Sequence, residues 1–283
     1  MSIINGTELE KMPFRAERFK RYNGFIVKEE EERGVNVLFN NPKTLNAFTD
    51  STWKQYREIL EDLDRQEDVV VIIISLVIAK SFTLGLNLKS AIGSMTKYSD
   101  SADAEREAGL LSYIRDFQHA IATPSRIKVP TICVLNGIAL GLAIDMALAC
   151  TIRIATQDVK LLIREIKIGI PADMGSLQRM PAIVNNQSRL NELALTGAFF
   201  GADEAKELGF VSKVLPDHAS AVKHAIALAE DIAGNQAWAV KATKQCIEFV
   251  NHGGSVKEGL ENVAYINSKG IGKKFINARK SVL

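Results

Sequence analysis

The sequence predicts an α/β fold: a mostly parallel sheet with crossover helices, followed by a helical C-terminal third. Three observations carry that reading, namely short β-branched runs bounded by turn residues, helical spacing between those runs, and an almost continuous helical pattern from residue 187 onward. The first strands fall at 36–40, 69–76 and 131–135. Between the first two, 49–66 reads as a helix, because Trp53, Tyr56, Ile59, Leu60 and Leu63 recur on one face. Strands separated by helices are what parallel pairing requires, since a parallel neighbour is reached only by a crossover. Further strands are expected at 159–163 and 209–214. Helices are expected at 142–150, 187–196, 202–208, 218–234, 237–251 and 255–266. The charged run 28–33 reads as a solvated hairpin or loop, and the polar stretch 95–106 as a surface loop or the irregular start of a helix.

With 283 residues, 47% hydrophobic and 24% charged, the chain can bury a substantial core. The predicted division is an exposed N-terminal extension over 1–23, an α/β core over 24–217 and a helical region over 218–283. Thirty-five basic and 33 acidic residues leave a net charge of +2, too small to draw in nucleic acid or an anionic membrane. An anionic ligand must therefore be held by local charge. The longest apolar run, 69–79, is interrupted by Ser75 and is too short to span a bilayer. Cys133, Cys150 and Cys246 are odd in number and widely spaced, which suits reduced thiols in an intracellular compartment. The final Ser281-Val282-Leu283 resembles the peroxisomal Ser-Lys-Leu signal without its basic middle residue, so a peroxisomal, mitochondrial or cytoplasmic location stays open.

Metal and nucleophile chemistry find no support. His119, His218, His224 and His252 are scattered, and there is no Gly-x-Ser-x-Gly elbow, P-loop or dinucleotide fingerprint. Two glycine turns and three acids remain. The turn Phe82-Thr-Leu-Gly-Leu-Asn-Leu88 bends at Gly85 and follows the second strand. Asn136-Gly-Ile-Ala-Leu-Gly-Leu-Ala-Ile-Asp145 follows the third strand and opens a helix, whose first N–H groups have no partner within it. If both turns face one cavity, two N–H donors can hold a thioester oxygen as it becomes an enolate; each glycine alone could simply be a turn residue. Asp145 lies in an apolar helix, Glu165 in Leu-Leu-Ile-Arg-Glu-Ile, and Asp173 in Gly-Ile-Pro-Ala-Asp-Met-Gly. Buried carboxyls have raised pKa values, useful for moving protons. Salt bridging, or a helix-capping role for Asp173 before Met174, is the competing explanation.

This order of strand, Phe-x-x-Gly-x-x-Leu turn, strand, Asn-Gly-x-x-x-Gly helix start, acid and acid resembles the crotonase (enoyl-CoA hydratase/isomerase) superfamily across most of the chain. Within it, the segment Arg164-Glu-Ile-Lys-Ile-Gly-Ile-Pro-Ala-Asp-Met-Gly-Ser-Leu-Gln-Arg-Met-Pro181 is similar to the Δ3,5,Δ2,4-dienoyl-CoA isomerases. The similarity continues through Asn186-Gln-Ser, Asn191-Glu-Leu-Ala, Ala202-Asp-Glu-Ala and Gly209-Phe-Val-Ser. The resemblance implies a crotonase-like spiral of ββα units with a helical C-terminal region. It also implies an oxyanion hole from the backbone of Leu86 and Leu142, and catalytic roles for Asp145, Glu165 and Asp173. Glu165 and Asp173 would exchange protons near carbons 2 and 6 of a dienoyl chain, while Asp145 tunes or orients them. Hydratases of the family use two glutamates, at the positions of Asp145 and Glu165, and commonly lack an acid at Asp173.

By the same resemblance, the substrate is an acyl-CoA thioester contacted by Phe82, Leu84, Gly85, Asn87, Gly141 and Lys89, with Lys273 and Lys274 available to its phosphates. No metal or redox cofactor is implied, coenzyme A being part of the substrate. Homotrimers or homohexamers are implied, with the helices beyond 217 extending over a neighbouring site or subunit. Two departures stand out. Gly141-Leu142-Ala143 replaces Gly-Gly-Gly and Leu84-Gly85-Leu86-Asn87 replaces Ala-Gly-x-Asp, which adds leucine bulk near the thioester. A hydratase, a specialised acyl-CoA pathway enzyme and a catalytically silent binding or assembly subunit remain the alternatives.

Overall fold

A computed structural model describes residues 16–30, 33–77, 80–96 and 102–272. Phe25–Glu30 (β1) and Gly34–Phe39 (β2) pair antiparallel, so the first part of the charged run, Lys28, Glu29 and Glu30, lies in a strand. Asp50–Asp64 (α1) follows, capped by Thr49 accepting from the Thr52 N–H at 3.3 Å. Val71–Leu76 (β3) and Ser81–Thr83 (β4) lead into Leu88–Met95 (α2) and Asp103–Ile121 (α3). Thr123–Arg126 (α4) is a single turn. Thr131–Leu135 (β5) and Ile138–Leu140 (β6) precede Leu142–Ala149 (α5). Ile152–Thr156 (β7) and Lys160–Leu162 (β8) precede a short 3-10 turn, Glu165–Ile168. The rest is Ser176–Ile183 (α6), Gln187–Thr196 (α7), Phe199–Phe200 (β9), Ala202–Glu207 (α8), Lys213–Leu215 (β10), His218–Ala233 (α9), Ala237–Asn251 (α10) and Val256–Gly270 (α11).

The strands form two sheets. One has six strands in the order β1-β2-β3-β5-β7-β10, and the other four in the order β4-β6-β8-β9. From β3 to β8, successive strands alternate between the sheets, so each turn of the chain adds one strand to each. This is the ββα spiral that the family resemblance implies.

Strand β3 is buried on both faces, and its period of two divides its side chains between two cores. Ile72, Ile74 and Leu76 face the main core. There Phe25, Phe39, Phe48, Tyr56 and Phe82 form an aromatic cluster with centroids 5.1 to 6.4 Å apart. Val71 and Ile73 face a second core beneath α9. Ala221, Ala225, Ala229 and Ala233 recur every four residues along α9, and their small side chains let the helix lie close to the sheet. Thus α9, the first of the helices that the resemblance implies extend over a neighbouring site or subunit, covers its own protomer's sheet. Helix α10 is tied inward as well: Lys244 Nζ, itself buried, donates to the carbonyls of Pro124, Ile127 and Val129.

Two other expectations need correction. Residues 16–23 are not an exposed extension: Phe19 and Tyr22 are buried, Tyr22 Oη bonds Glu58 at 3.2 Å, and Arg18 pairs with Asp62 at 3.0 Å. The strand expected at 209–214 begins only at Lys213, because the N–H groups of Phe210 and Val211 both turn back to the Ala205 carbonyl and cannot enter a ladder. Of the two alternatives for 95–106, a surface loop or the start of a helix, the second holds for 103–106, where the 19-residue helix Asp103–Ile121 begins. No helix among the described residues is long and apolar enough to cross a membrane.

Candidate active site

Parallel pairing brings the site together. Strand β4 pairs with β6, matching Thr83 to Ala139, and β6 pairs with β8, matching Leu140 to Leu162. The chain therefore leaves all three strands at one edge, and the residues just beyond them, Leu86, Leu142 and Glu165, become neighbours. Carboxyl ends of parallel strands are where open α/β sheets place ligands.

Gly85 and Gly141 make this convergence possible. Gly85 has φ +80°, and a Cβ there would lie 2.6 Å from the Leu140 carbonyl and 3.5 Å from the Leu142 nitrogen, so the two turns are in contact. Gly141 has φ +55°, and a Cβ there would lie 2.6 Å from Glu165 Oε1, so the carboxylate rests on the bare glycine. Among the described residues, the Leu86 N–H has no hydrogen-bond partner. Phe48 donates to the Gly85 carbonyl at 2.8 Å and accepts from Asn87 N–H at 2.7 Å, which turns the Leu86 peptide away from Phe48. Leu142 is the first residue of α5, so its N–H has no partner within the helix. Two unpaired donors thus flank the spot where Glu165 sits, the arrangement an oxyanion hole requires.

The other residues expected to bind substrate fall into distinct roles. Phe82 is a core residue, fully buried against Phe39 at 5.1 Å, and reaches the site only through the turn it anchors. The Asn87 side chain caps α2, accepting from Ser90 N–H at 3.1 Å. Leu84 is half-buried and its N–H donates to Leu45 at 3.2 Å. Lys89 is exposed on α2. Lys273 and Lys274 lie outside the described residues, as does the 281–283 tail. Leu142 is buried in the main core and Leu86 packs against it, so much of the added leucine bulk is absorbed there.

The three acids differ in environment. Asp145, on α5, is 1% exposed, and its Oδ1 accepts from both the N–H and the hydroxyl of Ser176, each at 2.6 Å. It pins the start of α6, and with it the segment carrying Asp173. Asp173 therefore does not cap α6, which begins at Ser176 after Gly175. Burial pushes Asp145 up to about 7, against the Ser176 hydrogen bonds, with the charges of Glu165 and Asp173 adding to the rise. Glu165 is raised by burial and then by the Asp173 charge, while the Arg164 N–H, 2.9 Å from Oε2, opposes the shift. Asp173 is also raised by burial.

The sequence reading missed the supports of this site. Asn46, at φ +59°, donates to the carbonyls of Ser81 and Phe82, each at 3.2 Å, and its own carbonyl accepts from the Thr83 hydroxyl at 2.6 Å. Thr83 Oγ1 in turn accepts from Gly85 N–H at 3.0 Å, which fixes the turn. Gln118 on α3 holds the Asp173 carbonyl at 2.7 Å. An asparagine in a turn-rich stretch was the one available signal for Asn46; nothing local marks Gln118. Among the described residues, no cluster of three or more His, Cys, Asp or Glu side chains could hold a metal ion.

Comparison with known proteins agrees with this geometry. Residues 30–268 match the enoyl-CoA hydratase/isomerase family. The chain is 34% identical over 245 residues to the peroxisomal Δ(3,5)-Δ(2,4)-dienoyl-CoA isomerase of Arabidopsis thaliana, covering 86% of this chain and 87% of that one. It is 31% identical over 246 residues to the mitochondrial Δ(3,5)-Δ(2,4)-dienoyl-CoA isomerase of Homo sapiens, covering 87% and 74% respectively. The fold is similar to the crystal structure of an enoyl-CoA hydratase from Bacillus anthracis, with TM-score 0.78, 25% identity and coverage of 92% and 95%. A putative enoyl-CoA hydratase from Streptomyces coelicolor shares the fold at TM-score 0.81 and 22% identity, with coverage of 100% and 96%. The chain belongs to the enoyl-CoA hydratase/isomerase family and is an enzyme of that family.

Proposed function

We propose that the protein isomerises 3,5-dienoyl-CoA to 2,4-dienoyl-CoA. The observation that carries this reading is the division among the acids: Asp145 is committed to Ser176, while Glu165 and Asp173 remain half-exposed with raised proton affinity. Glu165, beside Gly141 and the Leu142 N–H, lies nearer the thioester and takes the proton from carbon 2. The electron pair moves into the thioester oxygen, held by the Leu86 and Leu142 N–H groups. Asp173, in its acid form, returns a proton at carbon 6, and the two double bonds shift from 3,5 to 2,4. The substrate gains and loses one proton, and solvent exchange resets the two carboxyls. Removing a proton beside a thioester is feasible only where fixed donors meet the developing charge.

No cofactor enters this scheme beyond the coenzyme A of the substrate, whose phosphates would meet Lys89. Assembly as a trimer or a pair of trimers and an organelle location, as in the names of the isomerase relatives, belong to the same proposal; light scattering that gives a monomer at micromolar protein would remove the first.

The test is direct. Purified protein mixed with a 3,5-dienoyl-CoA should develop the absorbance of a conjugated 2,4-dienoyl thioester. If Asp173→Asn keeps wild-type isomerisation while Asp145→Asn abolishes hydration of a 2-enoyl-CoA, the hydratase reading replaces this one. A protein that binds coenzyme A thioesters and turns over neither substrate would be a silent member of the family.

A further inference from the structure

A half-open cavity of about 510 Å³ adjoins the acids, walled by α3, the end of α5, α6 and α10. Asp173 borders it, whereas Glu165, Leu86 and Leu142 do not. On the reading above, Asp173 acts at carbon 6, so the acyl chain beyond that carbon has this cavity as its continuation. Its size suits a small organic group. Ala122, Leu148 and Met174 supply apolar wall for methylenes.

The cavity also holds charge that a plain hydrocarbon tail would not use. Arg153, Arg179 and Lys244 line it, against the acids Asp173 and Glu248. Lys244 is committed to its three carbonyls. Arg153 is partly committed, with Nε to Phe210 at 2.7 Å and Nη1 to Cys150 at 2.9 Å. Arg179 is not. Its Nη1 reaches the Met174 carbonyl only at 3.5 Å, its buried Nε has no hydrogen-bond partner, and it forms no ion pair among the described residues. Gly175 leaves it room, since a side chain there would collide with the guanidinium. Glu248 and Asp145 act on this guanidinium electrostatically without forming an ion pair with it among the described residues, so its planar N–H donors remain available to a carboxylate, which they can bind as two parallel hydrogen bonds.

We propose that this cavity receives a carboxylate at the far end of the acyl chain, bound by Arg179 with Arg153 behind it, so that the preferred substrates are coenzyme A monothioesters of unsaturated dicarboxylic acids. This rests on the orientation of the acyl chain in the proposed reaction. Its test does not require turnover: saturated medium-chain acyl-CoA thioesters, ending in either a carboxylate or a methyl group, are titrated calorimetrically into the full-length protein. The carboxylate series should bind about tenfold more tightly or better, as expected for a charge-assisted pair in a partly buried site. Arg179→Met should erase the difference, Arg179→Lys should keep part of it, and Glu248→Gln, which removes a competing anion, should widen it. Equal or tighter binding of the methyl series by the wild-type protein overturns the proposal, as does an Arg179→Met variant that weakens both series alike. Should Arg179→Met fail to fold, Glu248→Gln still decides, because an unchanged ratio there counts against the proposal. If the carboxylate preference holds but no dienoyl thioester is isomerised, the assigned reaction fails and the pocket assignment stands. The reverse result separates them the other way.

Discussion

The two sheets divide the work of this protein. In the six-stranded sheet, β3 and β5 are buried on both faces, and apolar side chains fill the cores above and below. In the four-stranded sheet, β4, β6 and β8 have three residues each; the positive-φ glycines Gly85 and Gly141 follow β4 and β6, and Glu165, just beyond β8, rests on Gly141. Buried carboxyls and unpaired N–H groups are costly, and they persist only where surrounding structure over-determines them. The large sheet and α9 provide that surplus. Substitutions in the two regions should therefore have opposite signatures.

The largest effect is expected at the edge of the small sheet. Glu165→Gln and Asp173→Asn should each lower isomerase turnover about 10²–10⁴-fold, the usual contribution of a general acid or base. Thermal unfolding should show no loss of stability, since each change removes a carboxyl that burial disfavours. A fall in melting temperature with turnover preserved would dissolve the division. Next comes its mirror image in the large sheet: Ile73→Ala, beneath α9, should cost about 2–5 kcal/mol in urea unfolding. Its folded fraction should turn over substrate at the wild-type rate.

Gly141→Ala sharpens the contrast. The added methyl occupies the place of Glu165 Oε1 and forces the carboxylate aside, so turnover should fall about 10²-fold, as a small misplacement of a reacting group can do. The same change should cost about 1–3 kcal/mol of stability, because at φ +55° and ψ −108° the backbone is in a region that favours glycine.

The smallest loss of turnover, about tenfold or less, is expected from Asp145→Asn, which keeps an oxygen to accept from Ser176. Its signature is in stability against pH. Asp145 holds its proton up to about 7 in the folded protein against 3.8 ordinarily, so between those values the unfolded chain binds fewer protons and stability falls as pH rises. The loss amounts to at most about 4 kcal/mol across that window. Chemical denaturation at several pH values should show a flatter profile for the asparagine variant, with higher stability near neutral pH. An identical slope would show that Asp145 is ionised throughout.

Much of the architecture was legible because its signals are local. Thr131–Leu135, Gln187–Thr196 and Ala237–Asn251 fall where β-branching and helical spacing placed them. The three-residue strands β4 and β6 were not legible, because so short a segment has no period to read. Gln118 was overlooked for a similar reason, since it sits in an ordinary amphipathic helix and its partner, the Asp173 carbonyl, lies 55 residues along the chain.

The sequence by itself determined the element types, the apolar faces, the two glycine turns and the identity of three acids in apolar surroundings, because propensity and periodicity act over a few residues. The tertiary structure alone decided what surrounds each acid. Asp145, the most buried of the three, is held by Ser176, 31 residues away, while Glu165 meets Gly141 only because β6 and β8 run parallel and end together. A carboxyl's proton affinity depends on the dielectric, donors and charges around it in space, and these are set by contacts between segments that no local pattern encodes.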